Sequence, residues 1–313
     1  MTSHKERKLA YLLAVLNAVI IGISFLFAKI ALDYAQPLDT LMYRFAVSFL
    51  GLSLPVVLGI VKLRYRGKPI GKALLLSSMY PLGFFTLQAY GLQHATAAEA
   101  GILYAFTPIL TMLCASLFLK ESTNRAQKLA ICCSVFGVVF IFLMKGAELD
   151  ISNITGISLL ILTSVSFAGY SVMARSLSKQ FSPSEISYLM LSTGFVVFLI
   201  SSLITHWKVG SFENLIMPLS HPLFLVSILF LGLVSSLVTA LASTYVLSKI
   251  EASQMSVFTN LSTLVTIAAG ALFLGEEVTR YHVIGSVLII AGVLGTQNYN
   301  GLTKEVPKLN RSV

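Results

Sequence analysis

The sequence predicts an all-α integral membrane protein whose ten transmembrane helices form two inverted five-helix repeats. Its 313 residues are 56% hydrophobic and 11% charged, whereas soluble domains average about 25% charged. Ten apolar runs are each long enough, at ~20 residues, to cross a hydrocarbon core of ~30 Å as a helix. Lipid leaves no water for an open backbone, so helices are the expected spanning form. The third observation is an internal duplication, in which residues 90–137 recur at 245–292.

The ten runs, numbered helix one to helix ten, lie at residues 9–32, 38–61, 71–93, 96–119, 126–144, 152–175, 184–207, 220–247, 253–274 and 281–298. Basic residues precede the first run, as in a secretory signal, but the run exceeds the ~7–15-residue core of a signal peptide. It is therefore counted as helix one. The cysteines lie inside runs without metal or disulfide spacing and are interpreted as packing residues; they are Cys114, Cys132 and Cys133.

The duplication has a period of 155 residues, with ten identities in 48 aligned positions. A Phe-Leu-x-Glu turn followed by an arginine recurs, as Glu121 with Arg125 and Glu276 with Arg280. Self-similarity at a fixed period indicates a duplicated architecture. The predicted units are a first repeat at 1–148, a second repeat at 149–300 and a disordered cytoplasmic tail at 301–313.

The basic residues predict the orientation of the chain. With the N-terminus in the cytoplasm, 17 of the 22 Lys and Arg residues fall on the cytoplasmic side and five on the outer side, as the positive-inside rule requires. Five helices per repeat is an odd number, so the second repeat enters the membrane from the opposite face. We therefore expect a multi-pass protein of the cell membrane, built from inverted repeats, with both termini in the cytoplasm.

These features resemble the EamA-type family of the drug/metabolite transporter superfamily over nearly the whole chain. The resemblance is carried by four motifs: Ala97-x-x-x-Gly101 through Thr107-Pro108, Phe118-Leu119-Lys120-Glu121, Phe273-Leu274-Gly275-Glu276, and Gly285-x-x-Leu288-Ile289-x-x-Gly292-Val293. It implies export or exchange of small metabolites through a cavity lined by helices one, three, four, six, eight and nine. Small multidrug-resistance relatives carry a proton-binding Glu in helix one, whereas this chain has none between Asn17 and Ser24.

A stripe of hydroxyl groups is the main candidate for the substrate site. Its helix-four members recur at spacings of three and four and therefore share a face; they are Tyr104, Thr107 and Thr111. The 155-residue shift places these positions on Thr259, Ser262 and Thr266 of helix nine. Together they predict an uncharged polar cavity for a zwitterion or an amide-bearing metabolite. The alternative is that the hydroxyls bond to their own helix backbone or to neighbouring helices.

Further candidates are polar or irregular positions on the same helices. Tyr90 and Tyr245 form an identical pair that is expected either to gate the cavity or to anchor the helices at the membrane interface. Pro108 either frees a backbone carbonyl for ligand or only kinks helix four. The remaining cavity candidates are Asn17, Gln88 and Tyr170.

Charged residues within spans are functional candidates by default. Glu99 near the start of helix four is predicted to bind a substrate ammonium or a proton, or else to interact with the helix dipole. Lys29 and Arg44 flank the first outer loop, where they either snorkel to the interface or, for Arg44, turn inward to hold a substrate carboxylate. Glu121 and Glu276 are expected to cap turns or to pair with the arginines that follow them.

The sequence predicts a secondary transporter that exports small neutral or zwitterionic metabolites, such as amino acids, by alternating access. Multidrug or amine export, metabolite uptake and a channel-like facilitator are the alternatives. No nucleotide-binding loop or catalytic motif is present, so neither an enzyme nor a primary pump is expected. We expect no cofactor, metal or nucleic acid. The expected partners are a small metabolite, the lipid bilayer and protons as a candidate coupling ion, in a monomer or homodimer.

Overall fold

The computed structural model describes residues 4–94, 97–146, 154–274 and 277–298, except the side chains at positions 4, 92, 93, 97–99, 274, 297 and 298. Every regular element in these ranges is helical. The ten helices are one, His4–Leu32; two, Pro37–Val57; three, Ile70–Ser77, Ser78–Gly83 and Phe84–His94; four, Ala97–Ala105 and Thr107–Leu119; five, Arg125–Met144; six, Ile154–Leu177; seven, Pro183–Val209; eight, Pro222–Leu229, Phe230–Val238 and Thr239–Lys249; nine, Ala252–Leu274; and ten, Arg280–Asn298.

The predicted fold class is confirmed. Within the described ranges nine helices are long and apolar enough to cross a membrane, and the apolar part of helix ten, Arg280–Thr296, is shorter. The predicted boundaries differ from the observed ones by at most five residues, and the largest difference is at the start of helix one. Helix two ends at Val57 rather than at 61, because Gly59 adopts a left-handed backbone (φ 73°) that ends the helix.

Helices five and ten pack against each other through glycines. A Cβ atom on Gly137 would lie 2.8 Å from the carbonyl oxygen of Gly285, and one on Gly285 would lie 2.7 Å from that of Gly137. Only residues without a side chain permit so close an approach of two backbones, the usual device of membrane helix pairs.

Helices three and eight are both irregular near mid-length. Helix three contains a π-helical turn at Ser78–Gly83, in which Tyr80 has an extended backbone (φ −142°, ψ 119°). Helix eight contains a π-helical segment at Phe230–Val238. The 155-residue shift carries 78–83 onto 233–238, so the two repeats are irregular at equivalent positions. π-Helical segments are frequent at functional sites, and irregular helices at the midplane line the binding sites of many transporters.

Helix four is interrupted as well. Its first part ends at Ala105 and a new helix begins at Thr107, with Pro108 in its first turn. Proline is well tolerated there, because the first turn has no hydrogen-bond partner for its missing N–H. Pro108 therefore lies at the break between the two parts of helix four, where Phe106 keeps an α-helical backbone (φ −79°, ψ −7°).

Helices two and seven are joined at both ends by buried acidic residues. Each helix starts with a Pro-x-acid sequence, which places Asp39 and Glu185 in equivalent first turns. At the predicted outer face, Asp39 is 2% exposed and accepts hydrogen bonds from Ser202 Oγ (2.6 Å) and His206 Nε2 (2.9 Å) of helix seven. The Ser211 carbonyl oxygen, 2.9 Å from His206 Nδ1, can only accept a hydrogen bond, so Nδ1 carries a proton. A second proton must then lie between His206 Nε2 and the Asp39 carboxyl group, bound to one of the two residues.

The predicted cytoplasmic ends are joined in the same way by the other acidic residue. Glu185, 3% exposed, accepts from the Arg64 N–H (2.9 Å) and the Ser182 N–H (2.8 Å), and it pairs with Lys68. Arg64 and Lys68 belong to the segment that follows helix two. The two acidic residues thus hold helices two and seven together, one at each end of the pair.

Candidate functional site

A small cavity of about 30 Å³ lies at the centre of the helices. Helices one, three, six, eight and nine line it, through Ala14, Asn17, Ala18, Ile21, Tyr80, Phe167, Tyr170, Thr239, Ala240, Ser243, Met255, Phe258 and Thr259. This space accommodates about two water molecules, far less than the ~300–1,000 Å³ typical of ligand pockets. A metabolite can therefore enter only if the surrounding helices move apart.

Asn17 is the most informative polar group of this cavity. It is 1% exposed, and its Nδ2 donates a 2.7 Å hydrogen bond to Ser243 Oγ on helix eight. Its Oδ1 is buried without a hydrogen-bond partner in the described part of the chain. An unsatisfied buried carbonyl costs about 1–3 kcal/mol, so it is a ready acceptor for an N–H group of a ligand.

Aromatic rings form the wall between helices three and six. The Tyr80 ring lies 4.8 Å from Tyr170 and 5.8 Å from Phe167, centroid to centroid, and Phe167 lies 5.7 Å from Tyr170. Aromatic faces attract cations such as ammonium groups. The cavity thus combines a hydrogen-bond acceptor with aromatic surfaces, a combination suited to a nitrogen-bearing ligand.

The structure brings only some of the predicted site residues together. Asn17, Tyr170 and Thr259 line the cavity, whereas Thr107 and Thr111 are buried in helix four and do not. The Tyr104 hydroxyl lies beside Gln88 and Thr163, without the geometry of a hydrogen bond. The roles of these residues remain predictions.

The hydroxyl groups of helix nine bond to backbone carbonyls, which is the arrangement that the alternative interpretation of the stripe expects. Thr259 and Ser262 each donate 2.6 Å hydrogen bonds to carbonyls of their own helix. Thr266 donates to the Ser262 carbonyl (3.0 Å) and to the Gly22 carbonyl of helix one (3.2 Å). These three groups are therefore satisfied internally, and only Thr259 also faces the cavity.

The predicted gating residues lie away from the cavity. Tyr90 is 57% exposed on helix three, while Tyr245 is partly buried, with its ring 5.6 Å from Lys249 Nζ. Pro108 is buried at the start of the second part of helix four. Glu99 belongs to the first part of that helix, but its side chain lies outside the described residues, as does Glu276.

Sequence reasoning missed three polar residues of the cavity, namely Tyr80, Thr239 and Ser243. The duplication contained a signal for one of them, because the 155-residue shift carries the predicted Gln88 onto Ser243. Tyr80 likewise maps onto Ser235 in the irregular segment of helix eight. The sequence alone did not show that these positions approach the centre.

A charged cluster joins the cavity-lining helices at the predicted cytoplasmic face. Its members, called the gate cluster below, are Glu6, Arg7, Glu121, Arg175, Lys249 and Glu251. Glu121 accepts from the Ala252 N–H (3.2 Å) and Ser253 Oγ (3.3 Å) at the start of helix nine, and lies 3.8 Å from Arg175 Nε of helix six. Lys249 Nζ lies 2.9 Å from Glu6 Oε1.

The expected pairing of Glu121 with Arg125 is therefore wrong. The carboxylate instead meets the free N–H groups at the start of helix nine, where the helix dipole favours negative charge. The cluster ties together the ends of helices one, four, six, eight and nine, so we expect it to restrict access to the cavity from this side.

Glu251 of the gate cluster is electrostatically strained. Burial raises the pKa of its carboxyl group above the ordinary value, the charge of Glu121 raises it further, and Arg175 and Arg7 act in the opposite direction. The protonated form of Glu251 is thus the one that the closed gate favours.

Arg44 turns inward, so the interpretation that it snorkels to the interface is wrong. Its Nε donates a 2.6 Å hydrogen bond to Ser236 Oγ in the irregular segment of helix eight. Lys29, at the end of helix one, is exposed. The two cations that flank the first outer loop therefore have different environments.

Ten apolar helices in two inverted repeats, with a central cavity beside two irregular helices, are an arrangement typical of secondary transporters. Comparison with known proteins identifies the family. The chain belongs to the EamA-like transporter family, whose model matches residues 8–143 and 154–297. It is thus a multi-pass membrane protein of a transporter family.

Individual relatives agree with this assignment. The chain is 42% identical over 296 residues to the uncharacterized transporter YcxC of Bacillus subtilis, covering 95% of both chains. It is 26% identical over 281 residues to an uncharacterized transporter of Archaeoglobus fulgidus, covering 87% of this chain and 92% of the relative. A crystal structure with 15% sequence identity superposes with a TM-score of 0.74, covering 92% of this chain and 97% of its own, and shows the same fold.

Proposed function

We propose that this transporter exports small neutral or zwitterionic metabolites, such as amino acids, across the cell membrane, and binds them in the cavity around Asn17. The buried Oδ1 of Asn17 carries this proposal, because it has no hydrogen-bond partner among the described residues and Asn17 lines the cavity, where an ammonium or amide N–H of a ligand would satisfy it. The aromatic wall of Tyr80, Phe167 and Tyr170 supplies surfaces that favour the same nitrogen.

The small size of the cavity supports transport by alternating access. A space of about 30 Å³ cannot hold a metabolite, so loading requires a second arrangement of the helices. The inverted repeats allow two such arrangements of similar energy, each open to one face. Export, rather than uptake, is proposed from the family resemblance, with both termini placed in the cytoplasm by the distribution of basic residues.

Amine export is the second candidate, and the aromatic wall is the observation that favours it. Rings around a cavity attract organic cations without requiring a carboxylate on the substrate. Binding of amines that exceeds binding of the corresponding amino acids would favour this candidate over the first.

The first test is ligand binding by the purified transporter. We expect an amino acid or related metabolite to raise its melting temperature, and Asn17→Leu to weaken that binding by roughly tenfold or more, since removing a partner of a charged group costs about 1.5–3 kcal/mol. The measurement is the melting temperature as a function of ligand concentration.

Thr107→Ala is the matched control, because Thr107 is a predicted site residue that does not line the cavity. Binding should survive this change. Equal loss in both variants would place the site nearer to helix four, and binding untouched by Asn17→Leu would contradict the proposed cavity.

A further inference from the structure

Arg44 is a cation inside the membrane-spanning part of the protein, and no acidic side chain among the described residues forms an ion pair with it. It lies seven residues after the start of helix two, which corresponds to a depth of about 10 Å at ~1.5 Å per residue. Charged residues at such depth are costly and mark substrate or ion pathways.

Neutral groups hold the guanidinium in place. Nε donates to Ser236 Oγ (2.6 Å), and Nη2 donates to Ser235 Oγ (3.1 Å) and to the Ser235 carbonyl (3.4 Å). The guanidinium carbon lies 4.9 Å from the centroid of the Phe85 ring, and Nη1 has no hydrogen-bond partner in the described ranges. Hydroxyls and a ring orient the charge but do not neutralise it.

These contacts place Arg44 between the interrupted segments of the two repeats. Ser235 belongs to the π-helical segment of helix eight, and its repeat equivalent is Tyr80 in the interrupted turn of helix three. The Phe85 ring, which the Arg44 guanidinium contacts, lies 5.6 Å from the ring of Tyr80, centroid to centroid, and Tyr80 lines the cavity. On the other side, the Ser235 carbonyl also accepts a 2.6 Å hydrogen bond from Thr239, a second lining residue.

A carboxylate is the natural partner of this group. The planar fork of arginine matches the two oxygens of a carboxylate, and such charge-assisted bonds are about twice as strong as those to neutral hydroxyls. A substrate carboxylate that reaches Arg44 would therefore displace Ser235 and Ser236 when the cavity widens. Arg44 and Asn17 would then hold opposite ends of one zwitterion.

We propose that Arg44 binds the carboxylate of the transported metabolite, which makes zwitterionic amino acids the substrate class. This inference rests on the proposed transport function. It differs from that proposal by requiring a free carboxylate, because neutral amides and simple amines lack the group that Arg44 recognises.

The test compares matched solutes and matched variants in proteoliposomes. Several amino acids with different side chains are used as solutes. Uptake of each one is measured in competition with the same amino acid, its primary amide and its decarboxylated amine. We expect the amide and the amine to compete at least tenfold more weakly than the acid. Arg44→Gln should remove this preference, Arg44→Lys should retain part of it, and Lys29→Gln, which deletes an exposed cation nearby, should leave it unchanged.

The outcomes separate the two proposals. Equal competition by acid, amide and amine in the wild type, or a preference that survives Arg44→Gln, overturns the carboxylate assignment and leaves transport standing. The absence of uptake for every solute overturns the transport proposal and this inference with it. If neither Arg44 variant folds, the wild-type competition by acid, amide and amine decides.

Discussion

Replacement of Asp39 by alanine is expected to lower the free energy of unfolding by about 3–5 kcal/mol, because it leaves a buried cationic or proton-sharing partner unpaired. The carboxylate is almost fully buried and holds both Ser202 and His206 of helix seven. Its loss would release one end of the clamp between helices two and seven. Thermal and denaturant unfolding in detergent would measure the change.

Asp33→Ala is the control for this prediction. Asp33 is an exposed carboxylate just before helix two, so its removal should change stability by about 0.5 kcal/mol or less. The double variant Asp39→Ala/His206→Ala should be less destabilised than the sum of the single variants, because the two residues share one interaction. Strict additivity would contradict the clamp.

The second large effect is expected from a change in the gate cluster that makes the cavity more accessible. Glu121→Ala removes an ion pair and two hydrogen bonds at the start of helix nine. If the closed form loses about 1.5–3 kcal/mol of stability, the population of molecules open to the cytoplasmic side rises at least tenfold. The readout is the labelling of Ser243→Cys by a membrane-impermeant maleimide, in a background without Cys114, Cys132 and Cys133. We expect labelling from the predicted cytoplasmic side to accelerate by that factor.

Glu213→Ala is the matched control, because Glu213 is exposed on the opposite face. Labelling at an unchanged rate in Glu121→Ala would mean that the cluster does not close the cavity.

The pH dependence of labelling follows from Glu251. Its raised pKa means that the closed gate prefers the protonated carboxyl. This contribution to closure is therefore complete below the ordinary carboxyl pKa and is lost as pH rises through the raised pKa. After correction for intrinsic thiol reactivity, labelling should increase with pH, and Glu251→Gln should abolish the increase.

The helices were predictable because each depends on a local property, the length of an apolar run. The duplication also made the topology predictable, because an odd number of helices per repeat forces the second repeat to be inverted relative to the first. The interruption of helix three had a local signal in Pro81, which cannot continue a regular helix. Residues 230–238 of helix eight contain no proline, so that interruption could be inferred only through the repeat.

The site was less predictable because it depends on the rotation of each helix about its axis. Asn17 and Tyr170 were identified as polar residues on apolar helices, but spacing on helix four could not reveal that Thr107 and Thr111 do not line the cavity. The clamps formed by Asp39 and Glu185 join residues more than 115 positions apart. Nothing local to either helix indicates such a partner.

Counterflow in proteoliposomes tests the central claim most directly. Vesicles containing the purified transporter are loaded with an unlabelled amino acid and diluted into a trace of the labelled compound. Alternating access around Asn17 predicts transient accumulation of label above its external concentration. This accumulation should saturate with the internal solute, and Asn17→Leu should require roughly tenfold more solute or greater to reach it. Equilibration without accumulation, at a rate proportional to concentration and indifferent to Asn17, would show a channel-like pathway and contradict the account.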